Sequence, residues 1–313
     1  LLVFYELFNI YWFFNLLILS IIIYTTLIFN FIKFNISRFS LVPFRKIFID
    51  FYVYLKPLFV FSLIASFYSY SGRFLLQQSY GSVEQGYYNF ANQIALTPLL
   101  LVSSITTIYL SEITQFVKRK NILALKNIFT SHLFKIFSIH SISCFFLIVN
   151  TDQIIILTVG QEFLKSSIPL KILCLFSLFN TLGIFSSNLF YATKRNLLYS
   201  QINSLVMLFG IFFMVIIFYY GNLNSTNLAL LITTIYCIRI SIQLFLNLKF
   251  LAIDKFSFFK ELILISLVIY SLIKSINFLD LPILLNLLIT SCVLFILNFV
   301  LKKNLNIKKI KLY

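Results

Sequence analysis

The stretch LYSQINSLVMLFGIFFMVIIFYY, Leu198 to Tyr220, runs for 23 residues without a charge. At 1.5 Å per residue a helix of that length reaches ~35 Å, enough to cross the ~30 Å hydrocarbon layer of a bilayer. Its apolar residues are continuous rather than alternating, which argues against a membrane barrel strand. Lys194 and Arg195 precede it, and Gly221-Asn222 follow.

Eight further runs of this kind lie outward from it: Leu7 to Phe31, Tyr52 to Gln77, Gly86 to Leu110, Leu133 to Val149, Ile168 to Phe190, Leu228 to Leu248, Phe258 to Ile276, and Leu281 to Leu301. Together they predict an all-α fold, a polytopic transmembrane helix bundle of about nine spans. Composition agrees, with 60% hydrophobic residues, only 11% charged, and few glycines (7) or prolines (5) to interrupt helices. A water-soluble domain of 313 residues has too much surface for that composition to stay dispersed. In lipid the same composition is natural.

The basic residues test these spans. Twenty of the 25 Lys and Arg fall in one alternating set of connections and the tail, four in the other set, and Arg239 alone sits inside a span. A missed or invented helix would scramble that parity. The basic side is expected to be cytoplasmic, which makes this a multi-pass protein of the cytoplasmic (inner) membrane with its C-terminus on the cytoplasmic side. The net charge of +16 thus belongs to orientation signals, and no nucleic-acid partner is expected. The chain opens Leu1-Leu2-Val3, with neither a Met nor a basic n-region. It is not read as a signal peptide, and the expectation is a chain that begins partway through a longer protein.

Connections are short, the longest on the outer side being Asn150 to Ser167. The segment Phe116 to Phe129 alternates Lys and Arg with Val117, Ile122, Leu123, Leu125 and Ile128, which predicts a short surface helix. No phosphate-binding G-x-x-x-x-G-K-[ST] loop, H-E-x-x-H or G-x-S-x-G occurs. His132 and His140 lack ligand spacing, and the four cysteines sit singly in apolar runs as packing residues. No cofactor, metal or enzymatic chemistry is expected.

Polar groups inside spans are costly, so they carry the functional signal. Ser62, Ser66, Ser69, Arg73 and Gln77 recur at spacings of 4, 3, 4 and 4 and share one helical face. Asn89, Asn92, Gln93 and Thr97 share a face of the next span. Residues Gln78 to Gly86 join the two spans as a tight outer hairpin. Small and amide residues also glue membrane helices together, but a guanidinium at the depth of Arg73 needs an acid, water or an anionic ligand. Glu84 is the nearest acid in sequence and a candidate to neutralise it or to join the site. Arg239 lies in mid-span beside Cys237 and Ser241, with no acid in its own span. It reads either as paired with an acid on another helix or as facing an anion-attracting cavity. Glu112 ends the third span as an interfacial acid near Lys118 and Arg119, or as an ion-coupling group.

The run Ser69-Tyr70-Ser71-Gly72-Arg73-Phe74-Leu75-Leu76, followed by Gly81-Ser82-Val83-Glu84-Gln85-Gly86-Tyr87-Tyr88-Asn89-Phe90-Ala91, resembles the Wzx-type polysaccharide and O-antigen flippases of the multidrug/oligosaccharidyl-lipid/polysaccharide exporter superfamily. Val159-Gly160-Gln161-Glu162-Phe163 and Tyr191-Ala192-Thr193-Lys194-Arg195 are similar to further elements of that family, the second with Lys194 where an "A-T-G-R/K" turn has Gly. The resemblance covers residues 50–200, and elsewhere rests on hydropathy alone. It implies that residues 1–32 end a first lobe, 33–51 form a cytoplasmic linker, 52–248 form a six-helix second lobe, 249–301 add a terminal pair, and 302–313 are a basic tail. It implies movement of an undecaprenyl-pyrophosphate-linked oligosaccharide across the membrane by alternating access. Arg73 and Arg239 would attract the phosphates, while Gln77, Asn89, Asn92, Gln93 and Glu84 would line the site. Coupling would come from an H+ or Na+ gradient or from substrate supply, with membrane lipids and polysaccharide assembly proteins as partners. The rival readings are a membrane-embedded O-antigen polymerase or ligase, which needs a large outer loop with Arg, His and acids, and a drug or cation exporter of the same superfamily.

Overall fold

The computed structural model describes residues 10–36 and 44–278. The helices are α1 (Ile10–Ile36), α2 (Phe44–Leu96), α3 (Leu99–Lys118), α4 (Ile122–Val149), α5 (Thr151–Val159), α6 (Ser167–Ala192), α7 (Asn196–Tyr219), α8 (Ser225–Phe250) and α9 (Lys255–Asn277), with a 3-10 turn at Gln161–Ser166 between α5 and α6. No strand occurs among the described residues. Seven helical segments there are long and apolar enough to cross a membrane, so the protein is all-helical with the helices of a multi-pass membrane protein.

The expected count of nine is not reached among the described residues. The first expected span is helical as part of α1, but its described apolar core is only Ile18–Phe29. The second and third are not separated by a loop, because α2 runs on through the expected hairpin and is broken only at Gly81. The ninth, Leu281 to Leu301, and the tail 302–313 lie outside the described residues. The expected linker 33–51 is shortened from both sides, by α1 to Ile36 and by α2 from Phe44. The chain divides into two compact units, 1–54 and 55–313. The first holds α1 and the opening turns of α2, and the rest concerns the second.

Within the second unit α6 is the central helix. It packs most extensively on α8, then on α4 and α3. Gly183 of α6 has no Cβ, which lets the Ile240 side chain of α8 lie 3.0 Å from where one would stand. By contrast α7 turns Leu205, Leu208, Phe209, Phe212 and Phe213 outward, as a lipid-facing helix should.

Four helix ends close with one motif. After α3, α6, α7 and α8 the residue at Lys120, Lys194, Gly221 and Ala252 takes positive φ, between 49° and 70°. The next amide then reaches back to Phe116, Phe190, Ile217 and Leu248 at 2.9–3.2 Å, meeting carbonyls that a helix end leaves orphaned. The expected surface helix at Phe116 to Phe129 is therefore absent. Lys120-Asn121 makes this tight turn, the Asn121 side chain accepts from the Ala124 amide at 3.0 Å, and α4 starts at once with Ile122. The turn also accounts for Lys194. It stands at φ 57°, where a β-carbon is strained and glycine is not. Lys194→Gly is expected to stabilise the folded protein by about 1 kcal/mol, read as a higher melting temperature in detergent.

Candidate functional site: two arginines and three tyrosines

Gly81 positions the site. Its φ of 81° and ψ of −177° fall where essentially only glycine is found, and helix resumes at Ser82. In a straight helix Arg73 and Gln85 would be ~18 Å apart. Instead the Gln85 amide Nε2 lies 3.5 Å from the Arg73 carbonyl, so the chain folds back in one residue. Both limbs are held by the α7–α8 turn: the Tyr80 hydroxyl donates to the Gly221 carbonyl at 2.8 Å, and the Ser225 amide donates to a Glu84 oxygen at 3.2 Å. Tyr87 and Phe90 set their rings against Phe163, with centroids 5.5 and 5.6 Å away. The expected hairpin exists, reduced to one residue.

The third span, expected unbroken from Gly86 to Leu110, is interrupted at Thr97-Pro98. Proline has no amide hydrogen and crowds the preceding turn. Short bonds bridge the gap, from Leu100 to the Thr97 carbonyl and from Leu101 to that of Pro98, each 3.2 Å. Beside the break, buried His140 places Nε2 3.1 Å from the Ser177 hydroxyl and 3.3 Å from Cys144 Sγ. No group of His, Cys, Asp and Glu suited to a metal occurs among the described residues.

Arg73 is half-buried near the fold-back, and the hydroxyl of buried Tyr88 lies within its electrostatic reach. Arg239 of α8 is 7% exposed, with its guanidinium carbon 4.0 Å over the Tyr236 ring. Tyr68 and Tyr236 place ring centroids 6.4 Å apart. Electrostatically Tyr68 reaches Tyr236, Tyr88 and Arg239, while Tyr88 reaches Arg73 and Tyr236. The two arginines, far apart in sequence, therefore share one electrostatic neighbourhood with Tyr68, Tyr88 and half-buried Tyr236. None of these tyrosines stood out in the sequence, although Tyr236 lies one turn before Arg239. Gly210 of α7 makes room for this packing, since a Cβ there would stand 2.6 Å from the Tyr68 ring.

Neither arginine forms an ion pair with an acid among the described residues, where the one close contact is His132 with Glu112 at 3.7 Å. Glu112 thus has a histidine of α4 as its neighbour. Glu84 caps the start of α8 rather than neutralising Arg73, an arrangement that the helix dipole also favours.

The polar stripe faces away from the packed core. Ser62, Ser66, Ser69, Gln77 and Gln93 are exposed, and Asn89 and Asn92 are half-buried. The stripe lies on the flank of α2 between its packed face (Tyr68, Gly72, Leu76) and its exposed aromatic face (Phe67, Tyr70, Phe74).

A third cation, Arg195, was named in the sequence only as a basic flank and turn residue. Arg195 lies between the rings of Phe190 and Phe250, at 4.6 and 4.0 Å, and donates to Thr193 at 2.9 Å and Asn247 at 2.7 Å. Asn247 in turn donates to the Ser186 carbonyl and hydroxyl. Burial lowers the Arg195 guanidinium to about 10, which leaves it charged at neutral pH. It ties the α6–α7 turn to α8.

Comparisons with family models, with curated proteins and with solved structures find no match to this chain.

Proposed function

We propose that the protein is a transporter that moves an anionic, lipid-linked oligosaccharide across the cytoplasmic membrane by alternating access, as the second lobe of a Wzx-like flippase. The observation that carries this reading is the pair Arg73 and Arg239, which share the electrostatic neighbourhood of Tyr68, Tyr88 and Tyr236 and have no ion-paired acid among the described residues. Uncompensated guanidinium groups inside a membrane bundle favour phosphate, which they bind through charge-assisted hydrogen bonds. Arg73, half-buried and next to the exposed stripe, meets the diphosphate. Arg239 strengthens the field from behind the tyrosines. Ser62, Ser66, Ser69, Gln77 and Gln93 would give a sugar head group a hydrogen-bonding wall while its lipid tail stays in the bilayer. The basic helix ends, at Lys118 to Lys120, Lys194-Arg195 and Lys249 to Lys255, face the cytoplasm.

Arg73→Ala tests the reading in a flippase-deficient strain. Surface glycan should fall at least about tenfold, since a charge-assisted bond contributes about 1.5–3 kcal/mol. Glu84→Gln should retain export, because Glu84 caps a helix. Full export by Arg73→Ala would remove the cationic site from the mechanism.

A further inference from the structure

Arg239 carries a charge that no acid among the described residues balances, although the Tyr236 ring lies 4.0 Å from its guanidinium carbon. It is 7% exposed in the middle of α8, its Nε has no acceptor among the described residues, and it forms no ion pair there. The neighbouring Tyr68 hydroxyl, on a residue 1% exposed, is likewise without a partner. A guanidinium does not shed its proton in a protein, and a lone charge inside a membrane bundle is strongly unfavourable. Water would satisfy the two donors and leave the charge. A cation would be repelled.

A polar column leads from this point toward the basic helix ends. One turn on from Arg239, Gln243 donates to Asn203 of α7, and one turn further Asn247 accepts from Arg195. These residues lie on one face of α8 and carry no carboxylate, with a guanidinium at each end of the column.

We propose that Arg239 and Tyr68, at the end of this column, hold a small inorganic anion of the size of chloride, which balances the Arg239 charge while no anionic cargo is near. The site shares Arg239 with the transport reading but does not depend on it, because the charge must be met whatever the cargo is.

The test is the melting temperature of the purified protein in detergent, titrated with sodium chloride against sodium gluconate at matched ionic strength. A bound anion stabilises the folded state by mass action. Chloride should raise the midpoint by several degrees along a saturable curve. Arg239→Met should lose that response, Arg239→Lys should keep it at higher chloride, and Arg73→Gln should keep it unchanged. Equal midpoints in the two salts, a linear rise without saturation, or a full response in Arg239→Met would overturn the proposal. Loss of lipid-diphosphate binding in Arg73→Gln with the chloride response intact separates this site from the transport reading.

Discussion

Arg239→Met is expected to stabilise the purified protein in chloride-free buffer by about 1–3 kcal/mol, read as a higher melting temperature, while abolishing glycan export. The two effects share one cause. Arg239 is almost fully buried against the Tyr236 ring, and its Nε has no acceptor among the described residues. An unbranched apolar chain of similar length fills that space without a charge to desolvate. Functional groups that are poor for stability are common at working sites. Scanning fluorimetry in gluconate measures the first effect and complementation the second. A large drop in melting temperature would mean that the guanidinium is paired in the folded protein, and would count against both the site and its resident anion.

Gly210→Val is expected to lose about 3 kcal/mol of stability and most export together. A Cβ at Gly210 would stand 2.6 Å from Tyr68 Cε2 and 3.1 Å from Ile235 Cγ2. The Tyr68 ring has little room to retreat, since it is 1% exposed and packs toward Tyr236. Displacing it breaks the link between the two arginines. Gly86 provides the control. It is helical, and a Cβ there meets nothing within 4 Å. Gly86→Ala should therefore fold at least as well as the native chain, gaining up to about 1 kcal/mol from helix propensity. Equal behaviour of the two variants would show that the Tyr68 packing is irrelevant.

The spans were legible because lipid leaves a coarse signal. Long charge-free runs such as Leu198 to Tyr220 match α7 within a few residues. Breaks were less legible. Gly81 and Pro98 act through single backbone positions, and hydropathy averages over them. The turn at Lys120 was hidden because a lysine there masks a left-handed conformation, whereas the turn at Lys194 showed only through its likeness to an A-T-G-R/K element. The site was only partly readable. Arg73 and Arg239 could be picked out by cost alone, whereas their joining through tyrosines depends on which helix faces lie together. Helical spacing placed Ser62 to Gln77 on one face correctly, but spacing does not say whether that face turns inward. In the second unit it lies on the flank, beside the exposed aromatic residues. Glu84 illustrates the same gap: nearness in sequence suggested Arg73 as its partner, and the fold hands it to α8.

Binding of undecaprenyl diphosphate to the purified protein tests most directly whether Arg73 meets an anionic lipid head group. The native protein should bind it, and Arg73→Gln should bind at least about tenfold more weakly, with its melting temperature and chloride response preserved. Equal affinity in a folded Arg73→Gln protein would contradict the account.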